Sequence, residues 1–184
     1  MNVTFITGNE NKARVLEKYL GYPVEHQKID MDEIQSLELE EIIDHKVKQA
    51  FDILKSPVLV EDVGLVIEGM GKLPGPFIKW FIEGMGLNKI CDLVTSFDNR
   101  KAKAQIVFGY FDGQELKIFS GDVHGTISRQ PKGNDGFGWN PIFIPNGALK
   151  TYAEMDEEET LHFSLRTTTV FPQIKQFLDQ LDKN

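Results

Sequence analysis

The chain has 184 residues, 41% of them hydrophobic and 26% charged, with a formal net charge of −8. That length suits one domain over residues 1–184, if need be with two lobes around a cleft, and the apolar content is too high for a disordered chain. The negative charge repels polyanions at long range, which argues against double-stranded nucleic acid as a general partner. No apolar run reaches the roughly 20 residues that a membrane span needs.

Met1 to Phe5 leads straight into strand-like sequence with no basic leader, and Cys91 is the single cysteine. Both features point to a reducing, cytoplasmic setting, and the apolar neighbours of Cys91 predict a core thiol. Val3 to Thr7 reads as a first strand ending at Gly8-Asn9. A helix follows, with Lys12, Val15, Leu16, Tyr19 and Leu20 on one face. Glu25 to Ile29 reads as a second strand. Leu39, Ile42, Ile43, Val47, Ala50, Phe51 and Leu54 mark a longer amphipathic helix. Val58-Leu59-Val60 and Leu65-Val66-Ile67 are two short β runs on either side of Glu61-Asp62. Glycines and prolines from Gly69 to Pro76 predict a stiff irregular loop, and helical sequence returns from Phe77 to about Thr95. Ala102 to Phe111 and Glu115 to Val123 are β-prone and meet at Asp112-Gly113, a hairpin signal. Gly125 to Ser128 can add a strand, and Gly133 to Gly138 is a glycine-rich loop. The apolar residues from Val170 to Leu181 predict a C-terminal helix, disrupted near Pro172 because proline lacks the N–H its turn requires. Strands alternating with helices, then hairpins, predict an α/β fold with a mixed sheet flanked by helices.

Four places carry candidate chemistry. Thr7-Gly8-Asn9-Glu10-Asn11-Lys12 joins a strand to a helix, where free backbone N–H groups and the helix dipole suit a phosphate. Lys46 fills a position on the apolar stripe of the second helix. An ammonium there snorkels, pairs with a carboxylate or meets a ligand. Glu61 and Asp62 interrupt an apolar stretch and call for a metal, a cationic partner or a turn; Glu33, in an acidic stretch, is a further candidate ligand. Mg²⁺ takes one or two carboxylates together with substrate phosphates, which suits such a set. Gly133 to Pro141 combines glycines with Phe137, Gly138, Trp139 and Asn140, and aromatic faces stack on bases while amides read their edges.

Taken in order, these segments resemble the inosine triphosphate pyrophosphatase family, the Ham1-like enzymes. The resemblance rests on Thr7-Gly8-Asn9-x-x-Lys12, Val60-Glu61-Asp62-x-Gly64-Leu65 and the tract from Leu73 to Phe81. It rests also on Phe137-Gly138-Trp139-x-Pro141-Ile142-Phe143 followed by Lys150 to Met155. It implies an elongated mixed sheet with two lobes and a nucleotide in the groove between them, and a homodimer. It implies that Thr7, Asn9, Lys12, Lys46 and Lys79 hold a triphosphate, and that Glu33 and Asp62, with Glu61, hold Mg²⁺. Asp62 would act as general base, Phe137 and Trp139 would flank the base, and Ser164 and Arg166 would meet its edge. The implied reaction converts ITP, dITP or XTP to the monophosphate and pyrophosphate. The chain departs from the family pattern at Val15, Asn140, Thr160 and Leu165, where an acidic residue, Asp, Lys and His are usual. Three of these changes lie at the base-reading end; the alternatives are the same chemistry with altered or relaxed base specificity, or a nucleotide-binding regulator with little turnover.

Overall fold

The computed structural model describes residues 3–134 and 138–181. The chain opens with β1 (Thr4–Ile6), α1 (Glu10–Leu20), β2 (Glu25–Gln27), α2 (Leu39–Leu54) and β3 (Val58–Ile67). Parallel strands need crossover connections, and here the two helices supply them: Thr4 pairs with Glu25 on one side and Val58 on the other. Then come β4 (Pro74–Gly75), antiparallel to β3, and α3 (Ile78–Thr95). The long strands β5 (Lys101–Phe111) and β6 (Leu116–Ile127) are followed by β7 (Phe143–Pro145), α4 (Glu157–Phe163) and α5 (Phe171–Leu181). The strands form one seven-stranded mixed sheet in the order β2-β1-β3-β5-β6-β7, with β4 attached to β3. The expected α/β class with helices flanking a mixed sheet is what the chain adopts.

Several local expectations change. Val15 is 41% exposed, and the buried stripe of α1 is Ala13, Leu16 and Leu20. Positions 13 and 15 lie on nearly opposite sides of a helix, so with Ala13 inward Val15 faces outward. Glu61 and Asp62 do not separate two strands: β3 runs unbroken through them. β6 likewise absorbs most of the separate strand expected from Gly125 to Ser128. The helix from Ile78 is interrupted at Gly86, whose φ of 78° is open to glycine at little cost. α4 went unforeseen, although Asp156 and Glu159 make a reciprocal capping box at its start. Near Pro172 the chain stays helical but changes type, from a π-helical turn over Arg166–Val170 to α5.

The chain forms two compact units. The first comprises Met1–Asp62, Ile106–Gly121 and Thr169–Asn184. Its core gathers Ile6, Leu39, Ile43, Val47, Ala50, Val58, Val60 and Val107, so the apolar stripe of α2 covers the middle of the sheet. Phe108 packs with Phe5 and with Phe171 of α5, at ring separations of 5.8 and 6.1 Å. The second unit comprises Val63–Gln105 and Asp122–Thr168. Ile90, Cys91 and Val94 of α3 and Ile142 and Phe143 are buried in it. The Arg100 guanidinium donates to the carbonyls of Ile127 and Ser128. Burial raises the Cys91 thiol pKa, as expected of an inert core cysteine. No helix among the described residues is long and apolar enough to cross a membrane.

Candidate functional site

In the first unit the candidate residues come together through the alternation of β3. Successive side chains of a strand point to opposite faces, so Glu61 and Asp62 leave β3 in different directions, and each meets a lysine from a helix. Lys12 of α1 lies 2.5 Å from Glu61, whose side chain is 3% exposed. Lys46 of α2 lies 2.7 Å from Asp62 and 3.0 Å from Glu33, so one ammonium gathers carboxylates from β3 and from the segment before α2. Lys46 is 8% exposed. Burial works against its charge, but Asp62 and Glu33 outweigh it, and the pKa is raised above the ordinary lysine value. Of the three roles open to this lysine in the sequence, carboxylate pairing is the one the structure displays. Among the described residues no three acidic, histidine or cysteine side chains converge as a metal cage. Glu33 and Asp62 share one focus while Glu61 is engaged by Lys12.

The turn between β1 and α1 is more self-contained than the sequence suggests. The Asn9 side-chain oxygen accepts from the N–H groups of Asn11 and Lys12, and the Asn9 N–H donates to the Thr7 hydroxyl. Asn9 is therefore the N-cap of α1 and uses two donors that a phosphate would otherwise meet. Gly8 leaves room beside it for another cation. A Cβ on Gly8 would lie 3.1 Å from Cδ of Lys28, so the Lys28 stem passes over the turn. No local pattern marks Lys28. Its place follows from the parallel register that sets Gln27 beside Ile6.

The second unit holds the remaining candidates. Gly138, Trp139, Asn140, Ser164 and Arg166 line a single pocket. Val63, Ala104, Met155 and Leu165 add apolar walls, and Tyr152 and Thr160 add hydroxyls; the sequence marks Tyr152 and Met155 as part of a family motif and Thr160 and Leu165 as departures, but not Val63 or Ala104. Leu165 is 7% exposed, so it supplies packing where an imidazole would have offered a polar group. Arg166 is placed by the end of α4: its N–H donates to the Ser164 hydroxyl, 3.3 Å away. Lys79 is exposed at the start of α3, with its ammonium 5.3 Å from the centre of the Trp80 ring. Phe137 lies outside the described residues.

Known proteins similar to this chain identify its family. A model of the Ham1 family matches residues 3–175. Inosine triphosphate pyrophosphatase 2 of Trypanosoma cruzi is 44% identical over 168 residues, 89% of this chain and 86% of that protein. Inosine triphosphate pyrophosphatase of Schizosaccharomyces pombe is 37% identical over 100% of this chain and 97% of its own. A dITP/XTP pyrophosphatase of Hyperthermus butylicus is 35% identical over 89% of this chain and 88% of its own. The solved structure of the Staphylococcus aureus Ham1 protein superposes with a TM-score of 0.85 over 98% of this chain and 99% of its own, at 23% identity, which bears on the fold. A family match running through nearly every element, joined to relatives alike along most of their length, places this chain in the Ham1 family.

Proposed function

We propose that the chain hydrolyses the triphosphates of non-standard purines, those of inosine and xanthosine, to the monophosphate and pyrophosphate. The relatives named for these substrates support the reading. The observation that carries it is the buried Lys46, which holds Glu33 and Asp62 on one positive centre. Two carboxylates already gathered around one cation make a donor set that fits a hard divalent ion, and Mg²⁺ commonly takes two carboxylates and completes its shell with water and phosphate. Glu33 and Asp62 would hold it, with Glu61 committed to orienting Lys12. When bound, Mg²⁺ offsets phosphate charge and polarises the phosphoryl oxygens.

The side chains then divide the work. Lys12 and Lys46, with Lys28 over the Gly8 turn, supply positive charge for the phosphates, and Thr7 and Asn9 fix the start of the helix that carries Lys12. The resemblance assigns Lys79 to the triphosphate as well. The Asp62 carboxylate accepts a proton from water as the water oxygen bonds to the α-phosphorus. The bond from that phosphorus to the bridging oxygen breaks, and pyrophosphate leaves with the electron pair. In the second unit Trp139, with Phe137, offers the base an aromatic face, and Arg166 donates toward a carbonyl at position 6, which adenine lacks. Asn140 can accept or donate, and Leu165 does neither, so the margin over ATP and GTP is narrower than an Asp and a His would give. The resemblance also supports a homodimer, and the single cysteine supports a cytoplasmic setting.

The test is turnover of ITP, XTP, ATP and GTP with Mg²⁺, reading pyrophosphate and orthophosphate separately. Pyrophosphate release fastest from ITP or XTP is the expected result. Orthophosphate as the first product, or no turnover of any of the four, removes this reading.

A further inference from the structure

The pocket of the second unit has two polar walls that are distant in sequence. One is the segment Trp139-Asn140, and the other is Ser164 to Arg166 at the end of α4. Both are tied to the short 3₁₀ turn Tyr152–Glu154 and the Thr151 that caps it. The Asn140 carbonyl accepts from the Ala153 N–H at 3.2 Å. The wholly buried Thr151 donates its hydroxyl to the Lys132 carbonyl at 3.1 Å, and the Lys132 N–H in turn donates to the Pro141 carbonyl at 2.8 Å. The turn thus grips the segment leading into Trp139 and the segment leaving it. On its other side the Tyr152 hydroxyl donates to the Phe163 carbonyl at 2.7 Å, one residue before Ser164. The Tyr152 ring is fixed by stacking on the buried Phe143, with centroids 5.5 Å apart and planes 29° apart.

We propose that Tyr152 is a positioning residue for base recognition: its hydroxyl, anchored to the Phe163 carbonyl, holds the Ser164–Arg166 wall at a fixed spacing from the Trp139–Asn140 wall. The inference rests on the function proposed above and assigns Tyr152 no part in the phosphate chemistry. Arg166 reaches a base edge through a long side chain, and its aim depends on where the backbone after α4 sits. The phenol fastens this backbone to the turn. Removing a short bond that spaces two walls costs a pocket orientation rather than volume.

The experiment compares the full chain with Tyr152→Phe, which keeps the ring on Phe143 and removes the bond. Five quantities are read: kcat and KM for ITP, inhibition by inorganic tripolyphosphate, amide exchange at residues 164–167, and the ratio of kcat/KM for ITP over ATP. Loss of one positioned hydrogen bond should raise KM for ITP roughly 3- to 10-fold and shrink the ITP-to-ATP ratio by a similar factor. Inhibition by tripolyphosphate, which has no base, should not change, and exchange at 164–167 should quicken. Unchanged KM, or tripolyphosphate inhibition weakened in step with KM, overturns the proposal, because a merely structural role would scale every ligand alike. If the parent chain releases no pyrophosphate from any purine triphosphate, the functional reading falls by itself. Amide exchange then decides alone: unchanged exchange at 164–167 overturns the anchoring role of Tyr152, and faster exchange upholds it. If Tyr152→Phe does not fold, Thr151→Val, which frees Lys132 from the opposite side of the turn, is judged by the same KM and tripolyphosphate criteria.

Discussion

Asp62 and Lys46 carry the sharpest single-residue consequences. Asp62→Asn keeps the shape of the side chain but cannot take a proton from water. Turnover of ITP should fall by about 10² to 10⁴ while nucleotide binding persists. Near-normal kcat at saturating Mg²⁺ would move the general base elsewhere. Lys46→Met reads differently with the structure in hand than from the helix stripe alone. A lysine kept on an apolar stripe only for its ligand could be replaced with little loss or a small gain in stability. Here its removal strips Asp62, whose side chain is 22% exposed, of the cation beside it. We expect weaker binding of ITP together with a lower melting temperature, by on the order of 1–3 kcal/mol in stability. Thermal melts and an ITP titration check both, and an unchanged melting temperature would show that the pair contributes nothing to the fold. The position of Lys46 was legible because helical periodicity marks an inward site without reference to the rest of the chain. Its partner Glu33 was visible only as a member of an acidic stretch. No local pattern reveals that a carboxylate 13 residues upstream folds back onto the helix.

At the scale of elements, the β5–β6 hairpin shows what local chemistry can dictate. Asp112 accepts from the N–H groups of Gln114 and Glu115, and these bonds hold its carboxyl pKa below the usual value. Gly113 has φ of 97°, and a Cβ there would strike the Phe51 ring of α2. Gly113→Ala should therefore cost on the order of 1–3 kcal/mol, from the backbone angle and from displacing a ring that packs on Phe111. The melting temperature should fall by several degrees, and an unchanged value would mean that Phe51 moves aside freely. Asp-Gly declared this turn in the sequence because turn preference resides in the residues themselves. β3 was divided in the sequence reading because two adjacent carboxylates look like surface. Only the lysines of α1 and α2, brought in by tertiary packing, make them tolerable inside a strand. α4 was missed for another reason: its signal is a seven-residue polar helix with a capping box and no apolar stripe to draw the eye.

For the whole molecule, the connectivity decides how it comes apart. β3, β5 and β6 each contribute residues to both compact units, so neither unit owns a complete set of strands. We expect a single cooperative unfolding transition over the described chain. Both tryptophans, Trp80 and Trp139, belong to the second unit, so fluorescence reports that unit while far-ultraviolet circular dichroism reports the entire sheet. Coincident midpoints for the two signals are the expected outcome, and separated midpoints would show units that unfold independently. The mixed sheet was legible because alternation of strand and helix is written along the chain. The division into units was not, since each is assembled from separate stretches.

That assembly has a consequence for biosynthesis. Phe171 of α5 packs against Phe108 and against Tyr19 of α1, at 6.1 and 5.3 Å, closing a core whose first members lie near the other end of the chain. A polypeptide leaves the ribosome N-terminus first. The opening strands and helices must therefore wait, with this apolar face uncovered, until some 150 further residues have been made. Native packing of the first unit waits on the synthesis of α5, and a nascent chain arrested before Phe171 leaves exposed the apolar surface that chaperones bind.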